Sequence, residues 1–283
     1  MSILQAFFLG VLQGATEFLP VSSSGHLVLV PWLLGWPAPG LAFDAVVHWG
    51  TAAAVIVYFR REWLAMAESA WLSVMGKRRD NGPEGEGSDS SEGSEADTTL
   101  LWLILLGTVP GVLVGFFLED FFEGMFARPM AAAVFLFVTA ALLTASERLG
   151  RRERGMNDLG FLDALFIGVG QALAIFPGIS RSGSTIAAGL ARGMKRHPAA
   201  HFSFLLATPI ILGAGLLKVV DLVQAGGFRA QAATLAAGFV ASVVVGLACV
   251  HFLLRYLKSR RLYPFAIYCV AFGFFSLLVA VIR

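Results

Sequence analysis

Six stretches of this chain are long, apolar and almost free of charge: Phe43 to Phe59, Thr99 to Leu118, Pro129 to Ser146, Phe202 to Val220, Ala232 to Val250 and Leu262 to Ile282. A helix needs about 20 residues to cross about 30 Å of hydrocarbon. Inside that layer, only elements that satisfy their own backbone hydrogen bonds are tolerated. The stretches therefore predict an all-α integral membrane protein with six transmembrane helices. Composition agrees: 57% of the 283 residues are hydrophobic and 14% are charged, whereas soluble domains carry about 25% charged residues.

Two shorter apolar pieces, Ile3 to Ala15 and Leu162 to Phe176, are followed or broken by Gly and Pro about where a spanning helix would reach mid-depth. They predict two re-entrant helix pairs. A signal peptide is the competing reading of the first piece, but it has no basic n-region and no A-x-A-type site. The two cysteines, Cys249 and Cys269, fall inside predicted spans and read as small packing residues, with no disulfide or metal spacing.

Residues Asp80 to Asp97 hold seven acids, no base and no apolar periodicity. That composition predicts a disordered acidic Gly/Ser-rich loop over about 77–98. Without its seven acids, twelve remain against twenty-one Lys and Arg, so the rest of the chain is about +9 rather than +2. Sixteen of those twenty-one bases lie in alternate connections: Arg60, Arg61 and Lys77 to Arg79; Arg148, Arg151, Arg152 and Arg154; Arg192, Lys195 and Arg196; Arg255, Lys258, Arg260 and Arg261. The opposite connections hold only Arg128, Arg229 and Arg283. The positive-inside rule makes the basic connections cytoplasmic. Both termini are then expected on the outer side, with the first re-entrant element dipping in from outside and the second from the cytoplasm.

An ungapped shift of 158 residues lays Gly10, Gln13, Ser22, Ser24 and Gly25 on Gly168, Gln171, Ser180, Ser182 and Gly183. QGATEFLPVSSSGH thus pairs with QALAIFPGISRSGS, and FDAVVHWGTAAAV from Phe43 falls opposite FSFLLATPIILGA from Phe202. The chain therefore reads as a single membrane domain over 1–283 with repeat halves of about 1–148 and 159–283. Three crossings separate the copies, so the repeat is expected to be inverted, an arrangement that places sites where broken helices meet near the midplane.

Ionisable groups inside a bilayer cost about 2.5–3.5 kcal/mol on insertion scales and point to function. Here they are Glu17, His26, Asp44, His48, Arg181 and Lys218. Gln13 and Glu17 share a helix face, and Pro20 ends that helix. Ser22, Ser23 and Ser24 occupy N-cap positions before a second helix that opens with Gly25 and His26. Such a turn offers free N–H groups and hydroxyls to a phosphate. The second copy, PGISRSGST, places Ser180, Ser182, Gly183 and Thr185 around Arg181, whose guanidinium suits bidentate capture of a phosphoanion. Glu17 is positioned to compensate Arg181 or to ligate Mg²⁺ or Ca²⁺, and His26 can act as base, acid or nucleophile. Asp44 and His48 share a helix face and either orient this site or sit near the membrane surface. Lys218 reads as a snorkelling residue, and His197, His201 and His251 as interfacial.

QGATEFLPVSSSGH and PGISRSGST resemble the two signatures of the bacterial undecaprenyl-diphosphate phosphatases associated with bacitracin resistance. FDAVVHWGT and FSFLLATP resemble further segments of that family. The resemblance implies a multi-pass inner-membrane hydrolase that converts undecaprenyl diphosphate to undecaprenyl phosphate, the carrier lipid of peptidoglycan synthesis, with help from a divalent cation. It places the essential carboxylate on Glu17, the catalytic serine and histidine on Ser23 and His26, and the phosphate-binding arginine on Arg181, in a site facing the periplasm. It implies no nucleic-acid partner and is compatible with a homodimer. Many members carry Glu where this chain has Gln13, which leaves Asp44 or substrate oxygens to complete a metal site. Spacing does not decide whether Ser23 or His26 attacks phosphorus. A rival reading is a transporter, or flippase, of undecaprenyl phosphate, because inverted repeats with broken helices are also a transporter architecture.

Overall fold

The structure, a computed structural model, describes residues 1–75, 89–224 and 227–283. Its helices, in chain order, are α1 (Ile3–Phe18), α2 (Ser23–Leu34), α3 (Leu41–Tyr58), α4 (Arg60–Val74), α5 (Asp89–Phe117) and α6 (Glu119–Phe126). They continue as α7 (Pro129–Leu149), α8 (Phe161–Leu173), α9 (Arg181–Ala191), α10 (Arg196–Gln224), α11 (Phe228–Leu257) and α12 (Tyr263–Ile282). Six of them are long and apolar enough to cross a membrane: α3, the Asp97–Phe117 part of α5, α7, α10, α11 and α12. These are the six stretches expected from the sequence. The protein is all-helical, with α1 and α2 as short apolar helices before the first span, and the short apolar α8 followed by α9 between α7 and α10.

The helix ends depart from the apolar runs. At 29 and 30 residues, α10 and α11 continue well past them on both sides. The acidic stretch departs too: α5 begins at Asp89, so the expected loop over 77–98 is helical from that residue on. The remainder of that expected loop, up to residue 88, lies outside the described residues.

Close helix pairing rests on small residues, as is usual where no hydrophobic force favours helix over lipid. α1 runs along α11, with Gly10 against Gly238 and Ala241 and Gly14 against Ser242 and Gly246. A Cβ on Gly14 would come within 2.8 Å of the Ser242 carbonyl oxygen. α8 runs along α5 in the same way, with Gly168 seated on Gly107. The opposite faces of α1 and α8 are apolar and exposed, including Leu4, Phe8, Leu162 and Phe166. Each short helix therefore shows grease to lipid and its small and polar side to the protein.

Two of the four basic connections gather around two buried acids. Glu147, at the end of α7, accepts from Arg196 Nε at 2.7 Å, Arg196 Nη2 at 2.6 Å, Arg152 Nη2 at 3.0 Å and the Leu262 N–H at 2.9 Å. It thereby joins the ends of α7, α10 and α12. Asp163, in the first turn of α8, pairs with Arg154 and Arg192, each at 2.6 Å. Burial would raise its carboxyl, but bonds from Arg154, the Gly160 N–H and Arg192 prevail and hold it below the ordinary carboxylate range. At the other end, Arg283 donates to the carbonyls of Trp32 and Leu33, so α12 finishes beside the end of α2.

Two of the three histidines expected at interfacial helix ends dock the α3–α4 junction. His201 Nε2 contacts Glu62 at 2.7 Å and its ring stacks on Phe59, while His251 Nδ1 bonds the Tyr58 hydroxyl at 3.1 Å. α4 itself buries Met66 and Ser69 and exposes Leu64, Trp71 and Val74.

Candidate active site

The first half of the site follows from where α1 stops. Gln13 and Glu17 lie one turn apart on its buried face, and Gln13 Nε2 donates to Glu17 Oε2 at 2.9 Å. Leu19 is extended, Pro20 cannot continue the helix, and Ser22 turns the chain with φ of 72°. A positive φ is uncommon for serine, so this turn holds backbone strain. Ser22 caps α2: its Oγ accepts from the Gly25 N–H at 3.2 Å and lies 3.3 Å from Ser24 Oγ. Ser23, the first residue of α2, directs its hydroxyl to Glu17 Oε2 in a short hydrogen bond.

The second half repeats this build. Gly178 has φ of +101° and packs directly on the Ala132 carbonyl of α7, so no side chain fits there. Ser180 caps α9, with its Oγ accepting from the Gly183 N–H at 3.0 Å and lying 3.2 Å from Ser182 Oγ. The turns touch: Ser182 Oγ donates to the Leu19 carbonyl at 3.3 Å, and Gly25 packs against Gly178. Two helix starts thus meet at these turns, each with first-turn N–H groups that have no partner within their helix.

Arg181, the first residue of α9, spans the junction and forms an ion pair with Glu17 Oε1 through Nη2. Its buried Nη1 has no hydrogen-bond partner among the described residues, and neither has the buried Gln13 Oε1. Glu17 therefore accepts from Gln13, Ser23 and Arg181 together. His48, on α3, places Nε2 3.5 Å from Glu17 Oε2, and its side chain is 26% exposed against 3% for Glu17. Its Nδ1–H donates to the Asp44 carbonyl at 2.6 Å. Of the two readings of Asp44 and His48, the one at the site holds for His48; the Asp44 Oδ1 is buried and has no partner among the described residues.

His26 does not join this cluster. Its Nδ1–H donates to the Ser22 carbonyl at 2.7 Å, which leaves Nε2 to accept from the Tyr268 hydroxyl at 2.8 Å. The ring also stacks on Phe272, with centroids 4.7 Å apart. Thr185 lies deeper in α9, where its hydroxyl bonds the Arg181 carbonyl at 2.7 Å and Ser203 Oγ at 2.6 Å. Among the described residues, no group of three or more His, Cys, Asp or Glu is placed to hold a metal.

Sequence reasoning missed two supports of the turns. Thr139 of α7 accepts from the Ser180 N–H and donates to the Gly178 carbonyl, both at 2.9 Å. Tyr268 of α12 holds His26. Both sit in spans that read as plain lipid-facing sequence, and a lone hydroxyl in such a run carries no pattern. Tyr268→Phe should leave His26 Nε2 buried and unpaired, at a cost of about 1–3 kcal/mol. A lowered melting temperature of the purified variant is expected, and an unchanged one would remove Tyr268 as the support of His26.

The family model described as bacitracin resistance protein BacA matches residues 6–275. Among curated proteins, the undecaprenyl-diphosphatase of Desulforudis audaxviator is 41% identical over 283 residues, with all of both chains covered. That of Methanosphaera stadtmanae is 39% identical, covering 100% of this chain and 99% of the relative. That of Alcanivorax borkumensis is 42% identical, covering 96% and 97%.

Proposed function

The chain belongs to the bacitracin resistance protein BacA family, and from this we infer that it is an undecaprenyl-diphosphate phosphatase, recycling the carrier lipid of cell-wall synthesis and conferring bacitracin resistance. The observation that carries the reading to this chain's own residues is Arg181: a partly buried guanidinium at a helix start, half engaged by Glu17 and half, at the buried Nη1, without a partner among the described residues. Its second N–H edge suits an oxygen of the terminal phosphate, beside the first amides of α2 and α9.

Ser23 attacks the terminal phosphorus. Its proton passes to Glu17 Oε2 and on to the bridging oxygen as that P–O bond breaks, so undecaprenyl phosphate leaves and Glu17 is a carboxylate again. Water then attacks the phosphoserine, gives a proton to Glu17, and releases phosphate as that proton passes to Ser23 Oγ. The Ser23–Glu17 hydrogen bond supports this order of roles. His26, with both ring nitrogens engaged, sets the α2 turn on which Ser23 stands. The donor set fits a divalent cation in one respect, the buried and unpartnered Gln13 Oε1 beside the Glu17 carboxylate. Those two groups would hold Mg²⁺ or Ca²⁺, with diphosphate oxygens completing the shell, and the ion would polarise phosphoryl oxygens there.

The same reading covers the architecture. α1 on α11 and α8 on α5 pair through corresponding glycines, Gly10 and Gly168, which supports an inverted repeat. The Asp163–Arg192 ion pair ties the start of α8 to the end of α9, as in a re-entrant pair that returns to the basic side. With the basic side cytoplasmic, the first pair opens to the periplasm, and both chain ends lie there.

The test is phosphate release from undecaprenyl diphosphate by the purified protein in detergent, with Mg²⁺, with Ca²⁺ and with chelator. Cation-dependent release, lost in Glu17→Ala, is expected. A wild type that releases nothing under any of these conditions would sink the reading, since hydrolysis needs no second compartment.

A further inference from the structure

A groove of about 450 Å³ runs between α7 and α12 on the lipid-facing side, away from the two serine turns. One end is polar, with Thr144, Arg148 and Tyr263, and the walls beyond it are Ala266, Val270 and Ala271. Arg148, like Arg151, differs from the other arginines around it. Arg152 and Arg196 share Glu147, and Arg154 and Arg192 share Asp163, but the exposed Arg148 has no carboxylate partner among the described residues. Glu147, its neighbour in sequence, already accepts from Arg152, Arg196 and the Leu262 N–H, so no carboxylate oxygen there is left for it. The head of the groove therefore combines an unpaired guanidinium, a phenol and the positive end of the α12 dipole, followed by an apolar trough opening to lipid.

We propose that this groove is a binding site for an anionic diacyl phospholipid of the leaflet that meets the basic connections. Its phosphate sits on Arg148 and the Tyr263 hydroxyl, and one acyl chain follows the trough past Ala266, Val270 and Ala271. Charge complementarity selects the occupant: basic pockets between spans suit anionic headgroups, and each arginine near the surface contributes about 1 kcal/mol toward an anionic lipid. The bound lipid spans α7 and α12, whose deeper residues Thr139 and Tyr268 hold the two serine turns. It thereby braces the supports of the site without touching the site.

The experiment uses the full chain in mixed micelles containing phosphatidylglycerol or phosphatidylcholine, with retained lipid read by native mass spectrometry and melting temperature read in parallel. Wild type should retain phosphatidylglycerol about fivefold better than phosphatidylcholine, with a higher melting temperature in the former. Arg148→Gln should lose both differences while keeping its phosphate release in lipid-free detergent. Ala271→Trp, which fills the trough and leaves Arg148 in place, should retain less of either lipid. Three results would overturn the proposal: equal retention of both lipids by wild type, an unchanged preference in Arg148→Gln, or displacement of phosphatidylglycerol by undecaprenyl phosphate at lower concentration, which would make the groove a product site.

Discussion

Arg181→Ala should lower phosphate release from undecaprenyl diphosphate by about 10³-fold, the scale on which a positioned arginine contributes to phosphoryl transfer. Two effects combine in that loss. The diphosphate loses the free guanidinium edge, and Glu17 is left as a buried charge without that counterion, which costs about 3–5 kcal/mol of stability where a buried pair is broken on one side. A second variant separates them. Arg181→Ala combined with Glu17→Gln removes both charges, so melting should return toward wild type while activity stays absent. Arg181→Lys keeps the charge but loses the fork, and a loss of about 10²-fold is expected. Near-normal release by Arg181→Ala would end its assignment as the anion-holding group.

Ser23→Ala should be at least as severe, at about 10⁴-fold, because a nucleophile removed from a concerted group takes most of the catalytic gain with it. Glu17→Gln should cost about 10³-fold, within the range of general-base catalysis. Kinetics alone would not tell Ser23 from His26, but the covalent intermediate would. Rapid quenching with substrate labelled in the terminal phosphate should trap an acid-stable phosphoserine on Ser23. An acid-labile, alkali-stable phosphoenzyme would instead identify His26 as the nucleophile and would require its ring to leave both the Ser22 carbonyl and the Tyr268 hydroxyl.

Hydropathy made the six spans legible, since each must match the thickness of the bilayer. It missed α4, whose Arg60, Arg61 and Glu62 lower the mean hydropathy of a helix that nevertheless buries Met66 and docks on His201. It also hid the start of α5, where acidic and small residues resemble a disordered tract. The repeat made the two serine turns legible as a pair, and the caps on Ser22 and Ser180 do occupy equivalent positions. What no local pattern carries is the partner of each turn. Tyr268 meets His26 across 242 positions and Thr139 meets Ser180 across 41. Asp44 and His48 had the right helical spacing for two readings, and only the packing of α3 against α1 brings His48 to Glu17.

The Glu17–Arg181 ion pair has a bearing on turnover. A site that already carries its own anion gives incoming phosphate no bare cation to fall upon: Glu17 neutralises the guanidinium from one edge, and a phosphoanion meets only the other edge, beside a negative carboxylate. Affinity for free phosphate should therefore be weak and product inhibition slight. A tight inhibitor would have to supply an anionic group for the free guanidinium edge and a donor for the Glu17 carboxylate, which a simple phosphate mimic does not.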